Sequence, residues 1–208
     1  MADKGTFRSR LAGALLAGAA AALIAVPAAG AGLFPGAPSG SCSDGTTSHP
    51  FASWLDFASY ELAPNGGFES GATGWTLTGG AQIVSGNEPY YANGAGDSHS
   101  LSLAAGASAT SGAVCIGGPT RPTMRFFAAS GGPFGATLTV QIRARGLGGI
   151  LLGAFDGGSF SVSPGWRPTP IILALQLPTG TSNAQIVLTS TGGTVLADDV
   201  FIDPWLTH

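Results

Sequence analysis

The sequence predicts an all-β protein: a two-sheet antiparallel sandwich forming one domain behind an export signal. Three observations predict it. After residue 62 the chain breaks into short β-rich segments punctuated by Gly, Pro and Asn. Within them Thr137–Arg145 alternates strictly. Leu138, Val140, Ile142 and Ala144 point one way; Thr137, Thr139, Gln141, Arg143 and Arg145 point the other, as in a strand with one wet face. And no window beyond the first thirty residues keeps a helical period for three turns. Composition agrees. There are 34 glycines in 208 residues, about twice ordinary usage, and charged residues are only 9%. Such a chain is neither a charged disordered tail nor a coiled coil.

Residues 1–31 read as a secretory signal peptide. Lys4, Arg8 and Arg10 form the positive region, Leu11 to Val26 is uncharged and mostly Ala and Leu, and small residues follow from Ala28 to Ala31. An uncleaved anchor is the alternative, but Pro27 interrupts the apolar run, and a spanning helix needs about 20 apolar residues. Cys42 lies too far beyond that run for a lipoprotein signal. Residues 32–48, rich in Gly, Pro and Ser, read as a flexible leader and residues 49–208 as the folded domain. Beyond the signal, five arginines face ten acids, a net charge of −5, with no lysine at all. No basic stripe for nucleic acid exists there. Secretion implies an extracellular or cell-envelope location.

Segment 49–61, with Phe51, Trp54, Leu55, Phe57 and Tyr60, suits either a short helical turn or an edge strand. The strands that follow are expected at 74–78, 81–85, 100–104, 107–116, 123–129, 137–145, 150–154, 158–162, 166–176, 183–189 and 196–202. Ala184, Ile186 and Leu188 repeat the period-two alternation against Gln185 and Thr189. Many short strands with frequent turns are the signature of a sandwich. In an exported chain Cys42 and Cys115 most simply form one disulfide, which would stabilise by about 4–4.5 kcal/mol in the chain-entropy model. Two free thiols are the alternative.

Two phrases carry a resemblance. Pro64-Asn65-Gly66-Gly67-Phe68-Glu69 with Gly74-Trp75 opens the domain, and Ala197-Asp198-Asp199-Val200-Phe201-Ile202 closes it. As a pair they resemble the ends of the galactose-binding-like jelly roll, in its carbohydrate-binding-module branch. The chain also resembles secreted bacterial proteins in which the words GGFE, GW, GGA and GNEP recur in this order. The resemblance covers about residues 62–204. It implies a jelly-roll sandwich, a non-catalytic carbohydrate-binding role towards a polysaccharide, and a structural Ca²⁺ held by Glu69 and Asp198. Asp199 is a further candidate, and the carbonyls of Asn65 and Gly67 are possible extra ligands. Physically, the first and last strands of such a roll are neighbours, so Glu69 and the Asp pair are expected to converge, and Ca²⁺ takes six to eight oxygens. The alternative is that these acids cap turns.

Trp75 and Trp166, each on an apolar strand, are expected in the core. The better sugar platform is Tyr90-Tyr91 in the loop 86–94, with Asn87 and Glu88 as hydrogen-bonding partners; an ordinary packed loop is the alternative. Catalytic patterns are missing. No serine stands in G-x-S-x-G, and there is no H-E-x-x-H, P-loop or G-x-G-x-x-G. Asp97-Ser98-His99 contains the letters of a triad, but sequence neighbours rarely meet in triad geometry. A structural or interaction domain of the cell envelope, keeping the roll without the sugar site, is the alternative function.

Overall fold

The computed structural model describes residues 46–115, 122–173 and 177–203. The expected signal peptide, most of the leader and the Cys42 partner of the expected disulfide lie outside these residues.

The described chain is all-β. Its strands are β1 (Thr47–Ser48), β2 (Tyr60–Leu62), β3 (Trp75–Thr78), β4 (Gln82–Ser85), β5 (His99–Leu103), β6 (Ser108–Ser111), β7 (Val114–Cys115), β8 (Thr123–Ser130), β9 (Ala136–Arg145), β10 (Leu151–Val162), β11 (Arg167–Pro168), β12 (Ile172–Leu173), β13 (Asn183–Gly192) and β14 (Val195–Asp203). They form two antiparallel sheets, a jelly-roll sandwich. One runs β10-β9-β13-β6-β3, with β7 also on β13; the other is centred on β14.

The alternation of β9 is met residue by residue. Ala136, Leu138, Val140, Ile142 and Ala144 are buried, and the residues between them are half-exposed. The core between the sheets draws Leu138, Val140, Ile186 and Leu188 from one side and Leu101, Leu103, Met124, Phe126, Val195 and Val200 from the other. Trp75 joins it as expected, against Phe68 at 5.1 Å between ring centroids.

Four expectations differ in detail. The segments expected at 150–154 and 158–162 are one twelve-residue strand, β10, kept continuous by register shifts at Leu151/Gly153 and Asp156/Gly158, where glycine permits a bulge. The strand expected at 107–116 breaks into β6 and β7. Of the strand expected at 166–176, the described residues form β11 and β12, with Pro168 and Pro170 removing ladder donors, and 174–176 lie outside them. And the end of the expected leader is structured, since Thr47 and Ser48 pair with Glu61 and Tyr60.

Strand β8 is buried on both faces. Met124, Phe126 and Ala128 face the main core, while Phe127 faces outward into a second cluster with Phe51, Ala58, Tyr60 and Phe201. Segment 46–62 lies over this outer face. Both alternatives for 49–61 occur in sequence: a 3₁₀ turn at Ala52–Trp54, then β2. A buried ion pair fastens the segment: Arg125 Nη1 donates to Asp56 Oδ2 at 2.8 Å, and the Tyr60 hydroxyl donates to the same oxygen at 3.0 Å. Arg125 also lies over the Phe51 ring at 4.9 Å. Burial, then the hydrogen bond to Asp56, pushes the Tyr60 hydroxyl above its ordinary pKa.

Candidate functional site

Strand β14 changes partner along its length. Val195–Ala197 pair with β5, Phe201 and Ile202 pair with β2, and its register with β8 shifts between Asp198 and Phe201. The closing phrase sits at this break. Asp199 adopts a left-handed φ of 50° there. The opening phrase fills the gap: Ala63 donates to the Val200 carbonyl at 2.8 Å, and Val200 donates to the Gly66 carbonyl at 3.0 Å. The approach requires glycine, since a Cβ on Gly66 would lie 2.6 Å from the Val200 oxygen.

The two phrases meet, but not through Glu69. Phe68 enters the core and Glu69 turns to the 86–98 loop. Its Oε1 accepts the N–H groups of Ser98 at 2.8 Å and His99 at 2.7 Å, and its Oε2 faces Ser98 Oγ and His99 Nδ1. Burial is the largest single influence and opposes ionisation, but the four hydrogen bonds from Ser98 and His99 together outweigh it and hold the carboxyl down at about 2. Both oxygens of Glu69 are occupied. The main-chain carbonyl of Asn65 accepts the Phe68 N–H, and its side chain spans Ser70, Gly71 and Thr73, so Asn65 shapes its turn. Gly67 lies against Asp199: a Cβ there would stand 3.0 Å from Asp199 Oδ1. The Asp97-Ser98-His99 stretch forms no relay. Ser98 Oγ and Glu69 Oε2 both face the same imidazole nitrogen, Nδ1, whereas a relay needs the two ring nitrogens to face different partners.

The acids that do join the Asp pair come from the 86–98 loop. Asp198 Oδ2 accepts the Glu88 N–H at 3.1 Å and its Oδ1 the Asp199 N–H at 2.9 Å. Asp199 Oδ2 accepts the Asn93 N–H at 3.1 Å. Asp199 is 0% exposed, and its Oδ1 has no hydrogen-bond partner; nor has Asp97 Oδ2. Burial pushes Asp198 up to about 8, with the charges of Glu88 and Asp97 adding to it against two backbone hydrogen bonds. Burial and the charges of Asp198, Asp97 and Glu88 raise Asp199 as well. Asp97 is raised by burial and by Glu69 and Glu88. Four carboxyls thus bear on one another where two chain ends and a loop converge. Among the described residues no three His, Cys, Asp or Glu side chains stand in ready metal-ligating geometry. The donor chemistry nonetheless suits a hard cation: two buried carboxylate oxygens lack any donor, and carbonyls supply the remainder of such shells.

Glu88, expected to meet a ligand, is fully buried. Its Oε1 accepts the Ala92 N–H at 2.6 Å and its Oε2 accepts the Tyr90 N–H, so it closes the loop and presents nothing to solvent. Asn87 is half-buried, and its side-chain Nδ2 has no hydrogen-bond partner.

Closing the loop in this way presents the tyrosines outward. Tyr90 is 39% and Tyr91 53% exposed. The Tyr90 ring stands edge-on to Trp54 at 4.8 Å and against Phe127 at 5.4 Å. Its hydroxyl donates to the Trp166 carbonyl at 3.0 Å and accepts from Arg167 Nη1 at 3.1 Å. Trp166 is therefore half-buried beside the second cluster rather than in the main core. Leu55 and Phe57, next to Trp54 in sequence, are also exposed. The sequence pointed to Tyr90 and Tyr91 but missed Trp54 and Arg167; the only signal was the aromatic density of residues 51–60. Leu55, Asn65, Phe68, Tyr91 and Asp199 are the non-glycine residues with left-handed φ among those described. Tyr91 lies in the tyrosine pair and Asp199 in the acid cluster, while Asn65 and Phe68 shape the opening phrase.

No family model and no curated protein matches the chain. Solved structures similar to it include the CBM22-1 xylan-binding domain of Paenibacillus barcinonensis Xyn10C, 18% identical over 62% of this chain and 85% of that one, TM-score 0.45. A second is the C-terminal family 22 carbohydrate-binding module of Clostridium thermocellum Xyn10B, 16% identical over 71% and 99%, TM-score 0.48. A third is the enzymatically active domain of bacteriophage CBA120 tailspike protein 4, 19% identical over 67% of this chain, TM-score 0.49; this chain spans 20% of that one's length. Carbohydrate-binding modules, the family that the opening and closing phrases resemble, are thus among the structures this chain is similar to. No helix among the described residues is long and apolar enough to cross a membrane.

Proposed function

We propose that this is a secreted carbohydrate-binding domain without catalytic activity, acting outside the cell or in its envelope, and that Tyr90 and Tyr91 with Trp54 and Trp166 form its binding shelf. One observation carries this reading: Tyr90 and Tyr91 stand exposed together beside half-buried Trp54 and Trp166, and the Tyr90 ring is held in place by hydrogen bonds with Arg167 and the Trp166 carbonyl. Aromatic faces offer large apolar area at little entropic cost, and the apolar face of a pyranose ring stacks on them. The acid cluster has a different task. We assign it to a structural Ca²⁺ at Asp199 and Asp97, with Asp198 and Glu88 holding the loop. When bound, the ion supplies positive charge that lets the buried carboxylates ionise together. Glu69 acts beside it as a brace for Ser98 and His99.

The test is retention on soluble and insoluble polysaccharides, peptidoglycan included, each with calcium and with chelator. Retention on at least one polymer, lost in Tyr91→Ala while the fold is kept, is the expected result. A folded protein that binds none overturns the proposal and leaves an envelope interaction domain, whose partner is then a protein.

A further inference from the structure

We infer that the shelf takes a polysaccharide bearing carboxylate groups, a uronate polymer, with Arg167 as the residue that selects it; this rests on the binding role proposed above. The described residues contain two ion pairs, His99 with Glu69 and Arg125 with Asp56. Arg167 belongs to neither. It is exposed on β11, and its Nη1 is engaged only by neutral oxygens, the Tyr90 hydroxyl and, at 3.4 Å, the Trp166 carbonyl.

Of the four described arginines only Arg125 meets a carboxylate, and Arg167 is the one that stands exposed. Glu88, on the same loop as the two tyrosines, is turned inward and spends both oxygens on N–H groups of that loop. Two half-buried arginines differ: Arg143 and Arg145 spend their Nε donors on Gln141 and Gln185. Arg167 is thus an exposed cation bonded to the Tyr90 hydroxyl, with no partner for its Nε and Nη2 donors among the described residues.

A guanidinium matches a carboxylate through two parallel hydrogen bonds and stays charged at every physiological pH. A neutral sugar gains nothing from that charge. A uronate gains the fork for its carboxylate and the rings for its apolar face. The acidic remainder of the molecule repels polyanions in general, so recognition depends on one carboxylate meeting this fork, not on diffuse attraction.

The experiment measures binding of the protein to polygalacturonate, alginate and glucuronoxylan, each beside its carboxyl-reduced form, with dextran sulfate as a sulfated polyanion, at about 0.15 M salt. At least one uronate polymer is expected to bind about tenfold more tightly than its reduced form. Arg167→Gln brings the ratio of acid-form to reduced-form affinity to about one, whereas Tyr91→Ala weakens both and keeps the ratio. Arg167→Lys, which keeps charge without the fork, restores only part of it. Equal binding of acid and reduced forms, or an unaffected Arg167→Gln variant, overturns the inference while the shelf stands. Equal binding of dextran sulfate overturns the carboxylate assignment. Binding to none of the polymers overturns the shelf itself.

Discussion

Asp199 accepts the Asn93 N–H through Oδ2 at 3.1 Å while its Oδ1, buried beside Gly67, accepts from nothing. One carboxylate thus ties the last strand to the 86–98 loop with half of its capacity and leaves the other half unmet. A buried acceptor without a donor costs about 1–3 kcal/mol, and more when it is charged. The break in β14 is therefore costly unless a proton or a cation joins it.

Asp199→Asn separates these two. A neutral amide removes the repulsion and suits the left-handed backbone at this position. In chelator at pH 8 the variant is expected to melt above the wild type. Calcium is expected to raise the wild-type melting temperature and leave the variant unchanged, as differential scanning fluorimetry would show. A wild type indifferent to both calcium and chelator would end the calcium assignment.

The pH dependence follows from the same groups. Asp198 titrates at about 8 in the folded protein against about 3.9 unfolded. Between those values the native state binds more protons, so stability falls as pH rises. Without calcium the protein is expected to melt higher at pH 5 than at pH 8. Saturating calcium is expected to narrow that gap, because a cation at Asp199 and Asp97 favours the ionised form of the neighbouring Asp198. Melts at both pH values, with and without calcium, check it.

Tyr90→Phe keeps the ring and removes the hydroxyl shared by Arg167 and Trp166. Losing one such hydrogen bond is worth about 0.5–1.5 kcal/mol, so polymer affinity is expected to drop about 2- to 10-fold with the melting temperature little changed. Affinity electrophoresis on the polymer that the wild type retains would measure it.

Asp56→Ala leaves Arg125 half of its environment, the Phe51 ring and the Thr169 carbonyl, without a counter-charge. Breaking a buried pair from one side costs about 3–5 kcal/mol. Protection of segment 46–62 against hydrogen exchange is expected to fall first, followed by loss of the shelf, because Trp54 belongs to that segment.

Gly66→Ala places a methyl 2.6 Å from the Val200 carbonyl, a backbone atom that cannot rotate away. Overpacking of this kind costs about 1–3 kcal/mol. Chemical denaturation is expected to show a lower midpoint with an unchanged slope.

The sandwich was legible because it depends on local pattern. Strict alternation in Thr137–Arg145 assigns one buried and one wet face before any neighbour is known, and glycine and proline mark where ladders stop. Tyr90 and Tyr91 were legible for a related reason: adjacent residues in a turn-rich loop cannot both turn inward. The pairing of the opening and closing phrases was also foreseeable, since Ala63, Gly66 and Val200 exchange backbone hydrogen bonds along neighbouring strands.

What only the tertiary structure decided is which side chains share a point. Glu69 and Glu88 are both acids near the same loop, and no periodicity says that the first braces Ser98 and His99 while the second is swallowed beneath Tyr90. Asp97 joins Asp199 across a hundred residues, and Trp54 and Arg167 reach Tyr90 from opposite ends of the chain. Sequence patterns report the side of an element on which a residue lies, because that depends on backbone geometry repeated every few residues. Convergence depends on how the elements cross, and that is set by the packing of all of them together.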